Sequence, residues 1–421
     1  MKPVEQVGDA IDRLFRLRSG QMIAVLTHRF GVANIELIED AVQDSMVAAL
    51  RTWPYNGVPE NQLGWLILTA RNKYIDHLRR ASRNVDCDGL ALPAPDLEEP
   101  RFAGELNEDQ LRLIFACCHP SIPADSRVAL TLKIVGGFSV SEIARAYLAK
   151  ADAVAKMLTR ARARLRVVRL EVPAGTELGE RLGAVLRVLY LMFNEGYSAA
   201  EGDELIRRDL CFESIRLADL LIGHPVTSLP KVFALAALFR FQAGRLGARA
   251  DDHGDLLLLA DQDRSLWDKK MIAEGLRNFR RSAVGDELSQ YHVQAEIASL
   301  HSLAPDYAST DWSRMLAAYD SLLGFGFSPV VALNRAVAIG QVRGPDAALE
   351  EIASLGSLYM MTSFNHYHAV LGHFLAEKGE HSLAADAFRR AIELTRNEPI
   401  RRYLHRRIAG TAARLNGTIH Q

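Results

Sequence analysis

The chain has 421 residues, of which 49% are hydrophobic and 24% are charged, and its formal net charge is -1. This length predicts more than one domain, and the composition is that of a globular protein with ample apolar material for its cores. Because the charges nearly cancel, a protein that is basic throughout is excluded, and any contact with nucleic acid must come from local basic patches.

Residues 9 to 50 have the apolar periodicity of helices, punctuated by Gly20 and Gly31. Between positions 38 and 49 one stripe is apolar. The opposite face carries acidic and amide side chains: Glu36, Glu39, Asp40, Gln43 and Asp44. An acidic outer face is usually just solvated, although it would also suit docking onto a basic partner.

A loop is predicted after residue 50, because the chain there contains residues that cannot continue a helix: Pro54, Gly57 and Pro59. The candidates for exposure on this loop are Trp53, Tyr55 and Asn56. An exposed aromatic ring could hold an unstacked base, and such stacking contributes about 1 to 3 kcal/mol per base. For Trp53, packing beneath its own loop is an interpretation of at least equal weight.

Residues 63 to 83 predict another helix, with a basic and polar outer face. This face presents Arg71, Asn72, Lys73, Asp76, Arg79 and Arg80. Residues 85 to 100 follow; they are rich in proline and acid and predict a semi-rigid linker. A linker of this kind lets two modest DNA contacts act together through effective concentration.

The cysteines form neither paired CxxC motifs nor a dense disulfide framework: Cys87, Cys117, Cys118 and Cys211. A zinc site at Cys117, Cys118 and His119 is disfavoured, since adjacent cysteines suit one tetrahedral ion poorly; buried apolar positions are the better interpretation. No long apolar run marks a signal peptide or a membrane span. We therefore expect a soluble, cytoplasmic protein without a metal.

The segment from Ser139 to Arg166 predicts a short helix, a tight turn and a long basic helix. Ser139 and Glu142 have the spacing of a capping box, and Asp152 is placed to cap the basic helix. The basic helix keeps an apolar stripe of Val154, Leu158, Ala161 and Leu165. The cations lie elsewhere on it: Lys156, Arg160, Arg162, Arg164 and Arg166. A basic run alone is usually a solvated face, but the combination favours a helix-turn-helix that reads DNA.

The predicted helices described above, in this order along the chain, resemble those of extracytoplasmic-function sigma factors. The segments from Glu39 and from Trp65 are similar to region two of that family, and the segment from Ser139 to Arg162 is similar to region four. The region-four positions that match are Ser139, Glu142, Ile143, Ala144, Val154, Leu158, Arg160, Ala161 and Arg162. Leu148 departs from the turn glycine of many members, and Met157 from a common cation.

The resemblance implies an all-α sigma factor whose partners are core RNA polymerase and promoter DNA. Polymerase would bind Asp40, Gln43 and Asp44. The region-two loop, with Trp53, Tyr55 and Asn56, would capture a flipped base, and the basic face from Arg71 to Arg80 would contact neighbouring bases or backbone. Region four would use Ala153, Lys156, Met157, Arg160 and Arg162. No cofactor and no enzymatic step are implied, because nucleotide addition belongs to the polymerase.

The chain continues well beyond region four, and residues 178 to 421 predict repeated amphipathic helices with tetratricopeptide-like elements near the end. The expected division is region two over 1–84, a linker over 85–106, region four over 107–170, a helical extension over 171–300 and a tetratricopeptide-like solenoid over 301–421. Such solenoids usually bind a protein or peptide. The alternative is a helical cap whose partners are its own sigma domains.

Residues 248 to 268 concentrate aspartates that could suggest a hard-cation site, but the required Gly and Glu spacing of a calcium loop is missing. We expect a turn, a short apolar segment and a helix start at Asp263 or Ser265. The whole chain resembles the sigma subgroup with a helical extension, in which residues 261–268 and Asn194 to Tyr197 are recurrent features.

The favoured interpretation is a sigma factor with a C-terminal regulatory or interaction domain. The alternative is a one-component helix-turn-helix regulator that uses the helical extension as its sensor.

Overall fold

The computed structural model describes residues 18–83, 103–146, 149–199, 201–202 and 205–418. The chain divides into two compact units, which meet in sequence at Met192 and Phe193. Nearly all the secondary structure described is helical, which confirms the all-α prediction. No helix among the described residues is both long and apolar enough to cross a lipid bilayer.

The first compact unit, unit 1, begins with a helix over 18–30, α1. Further helices follow: α2 (Ile35–Asn56), α3 (Gln62–Arg83), α4 (Ala103–Cys117), α5 (Ala124–Ile134), α6 (Val140–Ala146), α7 (Ala151–Leu165) and α8 (Gly175–Tyr197). The predicted linker over residues 85–100 and Cys87 lie outside the described residues.

Helices α2 and α3 pack against each other through the apolar stripe predicted for α2, which includes Ile38, Val42 and Met46. On α3, Leu66, Ala70 and Tyr74 point into the same core. The Tyr74 ring lies 4.6 Å from the ring of Phe30 on α1. The 3.6-residue period of the sequence therefore specifies the inward faces of both helices.

Helix α4 contributes buried apolar side chains to unit 1, among them Leu113, Ile114 and Phe115. Cys117 and Cys118 are free and fully buried, as expected for small apolar positions. Burial raises the pKa of Cys118 to about 11 and raises the pKa of Cys117 well above its ordinary value, so neither is a reactive thiolate at neutral pH. Arg181, in the first half of α8, is also buried and donates to the carbonyl of Phe115 at 3.0 Å. The first half of α8 thus belongs structurally to unit 1.

The second compact unit, unit 2, contains the end of α8, from Phe193, and the remaining helices: α9 (Arg208–Gly223), α10 (Pro230–Ala243), α11 (Lys269–Ser282), α12 (Gln290–Leu303), α13 (Trp312–Leu323), α14 (Pro329–Arg343), α15 (Pro345–Gly356), α16 (Tyr359–Thr362), α17 (Asn365–Glu377), α18 (His381–Leu394) and α19 (Glu398–Thr418). A short parallel pair joins β1 (Glu201–Gly202) to β2 (Arg396–Asn397). Asn397 is buried beside this pair and donates to the carbonyl of Ala199 at 3.1 Å.

Helix α10 is the central element of unit 2, since its side chains are buried on nearly every face. It contacts α9, α11 and α12. Its sequence, rich in Phe, Leu and Ala with few polar residues, has no polar face to present to water.

The last helices form neighbouring pairs, in which α17 packs on α18 and α18 on α19. Gly372 permits the first contact, because a Cβ there would lie 2.7 Å from a ring carbon of Phe388. Gly344, with φ of 91°, ends α14, and Pro345 begins α15. Gly372 and Phe388 thus nest against each other, whereas the tetratricopeptide-like classification stays a prediction.

Candidate nucleic-acid interface

The outer face of α2 carries the residues predicted to bind polymerase. Asp40, Gln43 and Asp44 are all exposed and lie one helical turn apart on the same side. Asp44 also accepts a hydrogen bond from Nε2 of His77 on α3 at 3.0 Å. The resulting surface is acidic and is held in place by a contact between two helices.

The aromatic loop differs from its prediction. Helix α2 continues through Pro54 to Asn56 and ends at Gly57, whose φ is 82°. Trp53 is only 4% exposed and packs edge to face against Trp65 at 5.5 Å between ring centroids. The exposure expected of Trp53 is therefore wrong, because the helix turns its ring into the core. Tyr55, at 88% exposed, is the aromatic ring open to solvent in this segment, next to an exposed Asn56.

The basic face of α3 is present in the structure. Asn72, Asp76, Arg79 and Arg80 are exposed, and Arg71 and Lys73 are half-buried. Arg79 lies 3.7 Å from Asp76, a weak pair between two exposed side chains.

The helix-turn-helix begins with the predicted capping box. The backbone amide of Ser139 donates to the Glu142 carboxylate at 2.8 Å, and the amide of Glu142 donates to Oγ of Ser139 at 3.2 Å. The second cap was predicted wrongly. Lys150 is the N-cap of α7 and makes no side-chain cap bond, and Asp152 lies inside the first turn. There it still interacts favourably with the positive end of the helix dipole.

The buried stripe of α7 is the predicted one: Val154, Leu158, Ala161 and Leu165. On the remaining surface Ala153, Lys156 and Arg160 are exposed, and Met157 is half-buried. Neither Lys156 nor Arg160 has a carboxylate within ion-pair distance among the described residues. The first two turns of α7 therefore present a small exposed surface with two cations.

The last turns of α7 contact α2, which no local pattern predicted. Arg162 donates from Nε and Nη2 to the two carboxylate oxygens of Glu39 at 2.8 and 3.0 Å. One turn further, Nη2 of Arg166 donates to Glu36 at 2.9 Å. Region four is thus joined to the helix that carries the acidic face.

Glu39 was predicted on the outer face of α2 and is instead 7% exposed. Its position could have been found from spacing, since Glu39 precedes Val42 and Met46 by three and seven residues and so lies on the edge of the apolar stripe. Burial raises the pKa of the Glu39 carboxyl, although the charge of Arg162 opposes this shift. Burying the pair therefore costs desolvation free energy. Removing either residue would leave the charge of the other without its partner in the interior.

The aspartates over residues 251–268 are structural. Asp255 is buried and binds Arg402 and Arg406 of α19. Asp263 caps the 3-10 helix Arg264–Leu266, as predicted, and Asp268 caps α11 by accepting from the amide of Met271 at 2.9 Å. Over the residues that the structure describes, no group of three or more His, Cys, Asp or Glu side chains could hold a metal ion.

Comparisons with known proteins agree with this organisation. Family models match as Sigma-70 region 2 over residues 14–84, as Sigma-70 region 4 over residues 112–165, and as a family of unknown function, DUF6596, over residues 181–283. The chain belongs to the extracytoplasmic-function-like sigma factors with a C-terminal extension. An uncharacterized protein of Rhizobium meliloti (strain 1021) is 39% identical over 393 residues, which cover 90% of this sigma factor and 91% of that relative. No solved structure matches.

The matched regions place the described surfaces within the sigma factor. Helices α2 and α3, with the acidic and basic faces, lie in region 2. Region 4 covers the helix-turn-helix. The two regions support a role in promoter recognition, and the contact between Glu39 and Arg162 joins one region to the other.

Proposed function

We propose that this sigma factor binds core RNA polymerase and directs promoter recognition and melting in transcription initiation, and that its C-terminal unit regulates this activity or binds a protein partner. The observation that carries the proposal is the exposure of both functional faces, the acidic face of α2 and the first turns of α7. Nucleotide addition itself would be carried out by the polymerase.

Polymerase binding is assigned to Asp40, Gln43 and Asp44. Their exposure supports this assignment, and two of the three carry charges that would meet a basic partner surface. Promoter melting is assigned to the last turn of α2, with Tyr55 and Asn56, where a ring open to solvent can stack on an unpaired base.

Promoter reading by region four is assigned to Ala153, Lys156, Met157 and Arg160, because they lie at the start of the second helix of a helix-turn-helix. Arg162 is a weaker member of this set, since Glu39 binds the edge of its guanidinium formed by Nε and Nη2. Contact of Arg162 with DNA would require the α2–α7 contact to open.

Polymerase binding is tested by capture of core polymerase on the purified chain, followed by run-off transcription from a bound promoter. Asp40→Lys and Asp44→Lys should weaken capture about tenfold or more. Glu60→Lys, an equal charge change at an exposed loop position, is the matched control. Capture that is unaffected by the α2 variants would contradict the assignment.

DNA reading is tested by the salt dependence of promoter binding by the complex. If the side chain contacts a phosphate, Lys156→Ala and Arg160→Ala should each reduce by about 1 the steepness with which the logarithm of the binding constant falls with the logarithm of salt concentration. If the side chain contacts a base edge, the variant should relax the base preference at that position. Tight duplex binding by the isolated chain without polymerase would favour the one-component regulator instead.

The role of unit 2 is tested by truncation after Tyr197. This end keeps the part of α8 that holds buried Arg181 within unit 1, whereas an end at Leu170 would remove it. Polymerase capture should be retained and promoter-dependent transcription should change; transcription identical to that of the full chain would refute a regulatory role.

A further inference from the structure

An arginine cluster in unit 2 joins the two recurrent segments that the sigma surfaces do not use. The phenol of Tyr197, at the end of the first segment, accepts from Nη2 of Arg245 at 2.8 Å. The guanidinium of Arg249 lies over the same ring, 3.5 Å from its centroid, and donates to the Tyr197 carbonyl. Arg264 and Trp267 come from the second segment, residues 261–268.

Arg245 is buried, and one of its N–H groups has no hydrogen-bond acceptor. Its side chain is 8% exposed, and Tyr197 occupies one of its nitrogens. The Nε–H group is buried without a partner. Its guanidinium carbon lies 5.9 Å from the centre of the Trp267 ring.

Arg264 approaches Trp267 as well, with its guanidinium carbon 4.4 Å from the ring centroid. Nη1 of Arg264 donates to the carbonyls of His301 and Ala304 at 2.8 and 2.7 Å, which fixes the group in place. Nη2 is buried and unpartnered, and so is Nε1 of Trp267, a residue only 5% exposed. The unused donors are therefore the N–H of the indole itself and one N–H on each of the two guanidinium groups near its ring.

No carboxylate neutralises this cluster over the described residues. Arg245, Arg249 and Arg264 have no acidic group within ion-pair distance there, and the acid that influences Arg264 from farther away is the exposed Asp306, whose carboxylate accepts from the amide of Ser309. His301 lies close enough that burial, followed by the charges of Arg245 and Arg264, lowers its pKa to about 3. His301 is thus neutral, and the net charge of the cluster is positive.

An uncompensated guanidinium in the interior is costly, and so is a buried donor without an acceptor. Cation–π contact with Trp267 offsets part of that cost but satisfies none of the three N–H groups. All three N–H groups are hydrogen-bond donors, and two of them belong to cations. They are therefore complementary to an oxyanion, which accepts charge-assisted hydrogen bonds.

We infer that Arg245, Arg264 and Trp267 form a binding site for a small ligand that carries an oxyanion, either a carboxylate or a phosphate. The ligand would approach the donors from the side of the 3-10 helix Arg264–Leu266, whose residues Ser265 and Leu266 are exposed. Unit 2 of the sigma factor would then act as a receptor for a small anionic molecule.

The experiment is calorimetric titration of the full chain with inorganic phosphate and, separately, with malonate, each at constant ionic strength set with chloride. Saturable heat with either anion supports the site, and the anion that binds more tightly identifies the ligand chemistry. Hydrogen exchange of residues 259–267 should slow on binding, because the ligand would hold Arg264 and Trp267 of this segment in place.

Two variants test the donor set. Arg264→Gln removes one cation and should weaken anion binding about tenfold or more, the change expected for loss of a charge-assisted hydrogen bond. Trp267→Phe keeps an aromatic ring and removes only the indole N–H, so it retains the packing and should weaken binding severalfold. Arg277→Gln, at an exposed arginine on α11 that pairs with Glu274, is the matched control and should bind as the wild type does.

The inference is overturned if the wild-type chain gives no saturable heat with either anion beyond that with chloride. It is equally overturned if Arg264→Gln and Trp267→Phe, shown to be folded by circular dichroism, bind the anion as tightly as the wild type does. It is also overturned if Arg277→Gln weakens binding as much as Arg264→Gln does. None of these outcomes depends on polymerase, so the test is independent of the sigma-factor assignment.

Discussion

Replacement of Arg162 by methionine tests the contact that joins region four to region two. The substitution keeps a side chain of similar length and removes both hydrogen bonds to Glu39. Because Glu39 is 7% exposed, its carboxylate would remain in the interior without its hydrogen-bonded cation, and Lys133 acts on it through charge alone. Breaking a buried pair in this way costs about 3 to 5 kcal/mol.

The pH dependence has a definite sign. Burial already raises the pKa of Glu39, and loss of the opposing Arg162 charge raises it further. A carboxyl whose pKa is raised by folding stabilises the fold below its ordinary pKa, and that contribution is lost as the pH rises through the folded-state pKa. The cost of Arg162→Met should therefore be largest at neutral pH and should shrink as the pH falls toward the ordinary pKa of glutamate.

Two controls accompany this variant. Arg166→Met removes a half-exposed arginine whose partner, Glu36, is also partly exposed, so the cost should be within about 1 kcal/mol and should change little with pH. The double variant Glu39→Gln with Arg162→Met leaves no buried charge and should recover most of the lost stability at neutral pH.

Urea unfolding followed by hydrogen exchange and mass spectrometry of α2 and α7 peptides measures these effects in unit 1 separately from unit 2. The reasoning is refuted if Arg162→Met costs no more than Arg166→Met at neutral pH. A cost that grows on acidification would also refute it, since protonation of Glu39 removes the buried charge.

Further predictions concern packing, charge and capping. Gly340→Ala places a Cβ 2.3 Å from a ring carbon of Phe374 and should destabilise unit 2 by about 1 to 3 kcal/mol in urea unfolding, whereas Gly410→Ala, with open space around the new Cβ, should be neutral or stabilising. Burial tends to raise the pKa of Asp255, but two arginines of α19 outweigh it and hold the pKa below its ordinary value. Asp255→Asn should cost about 2 kcal/mol at neutral pH, a difference that disappears in urea titrations as the pH falls through that lowered pKa. Ser139→Ala should cost about 1 kcal/mol and speed amide exchange in α6, whereas unchanged exchange would show that the capping box contributes nothing.

Features that depend on local spacing were predictable from the sequence. The buried stripe of α7 and the capping box at α6 follow from helical periodicity and from hydrogen bonds between neighbours in the chain. The exposure of Asp40, Asp44, Lys156 and Arg160 follows from the same period, because a residue opposite an apolar stripe faces water.

Features that depend on which faces meet needed the tertiary structure. The turn at which α2 ends decides that Trp53 packs on Trp65, although Pro54 suggested an earlier end. Glu39 and Arg162 are 123 residues apart, and no spacing rule links them.

The arginine cluster shows the same division on a larger scale. Its arginines come from two separated segments and its tyrosine from a third, and each arginine looks like an ordinary solvated one in its own sequence context. The amino-acid sequence by itself determined where the helices lie and which side of each is apolar, because those properties are set within a few residues. Only the tertiary structure decided which charged groups are buried from solvent and which partners they bind there, because desolvation depends on every element packed around a group.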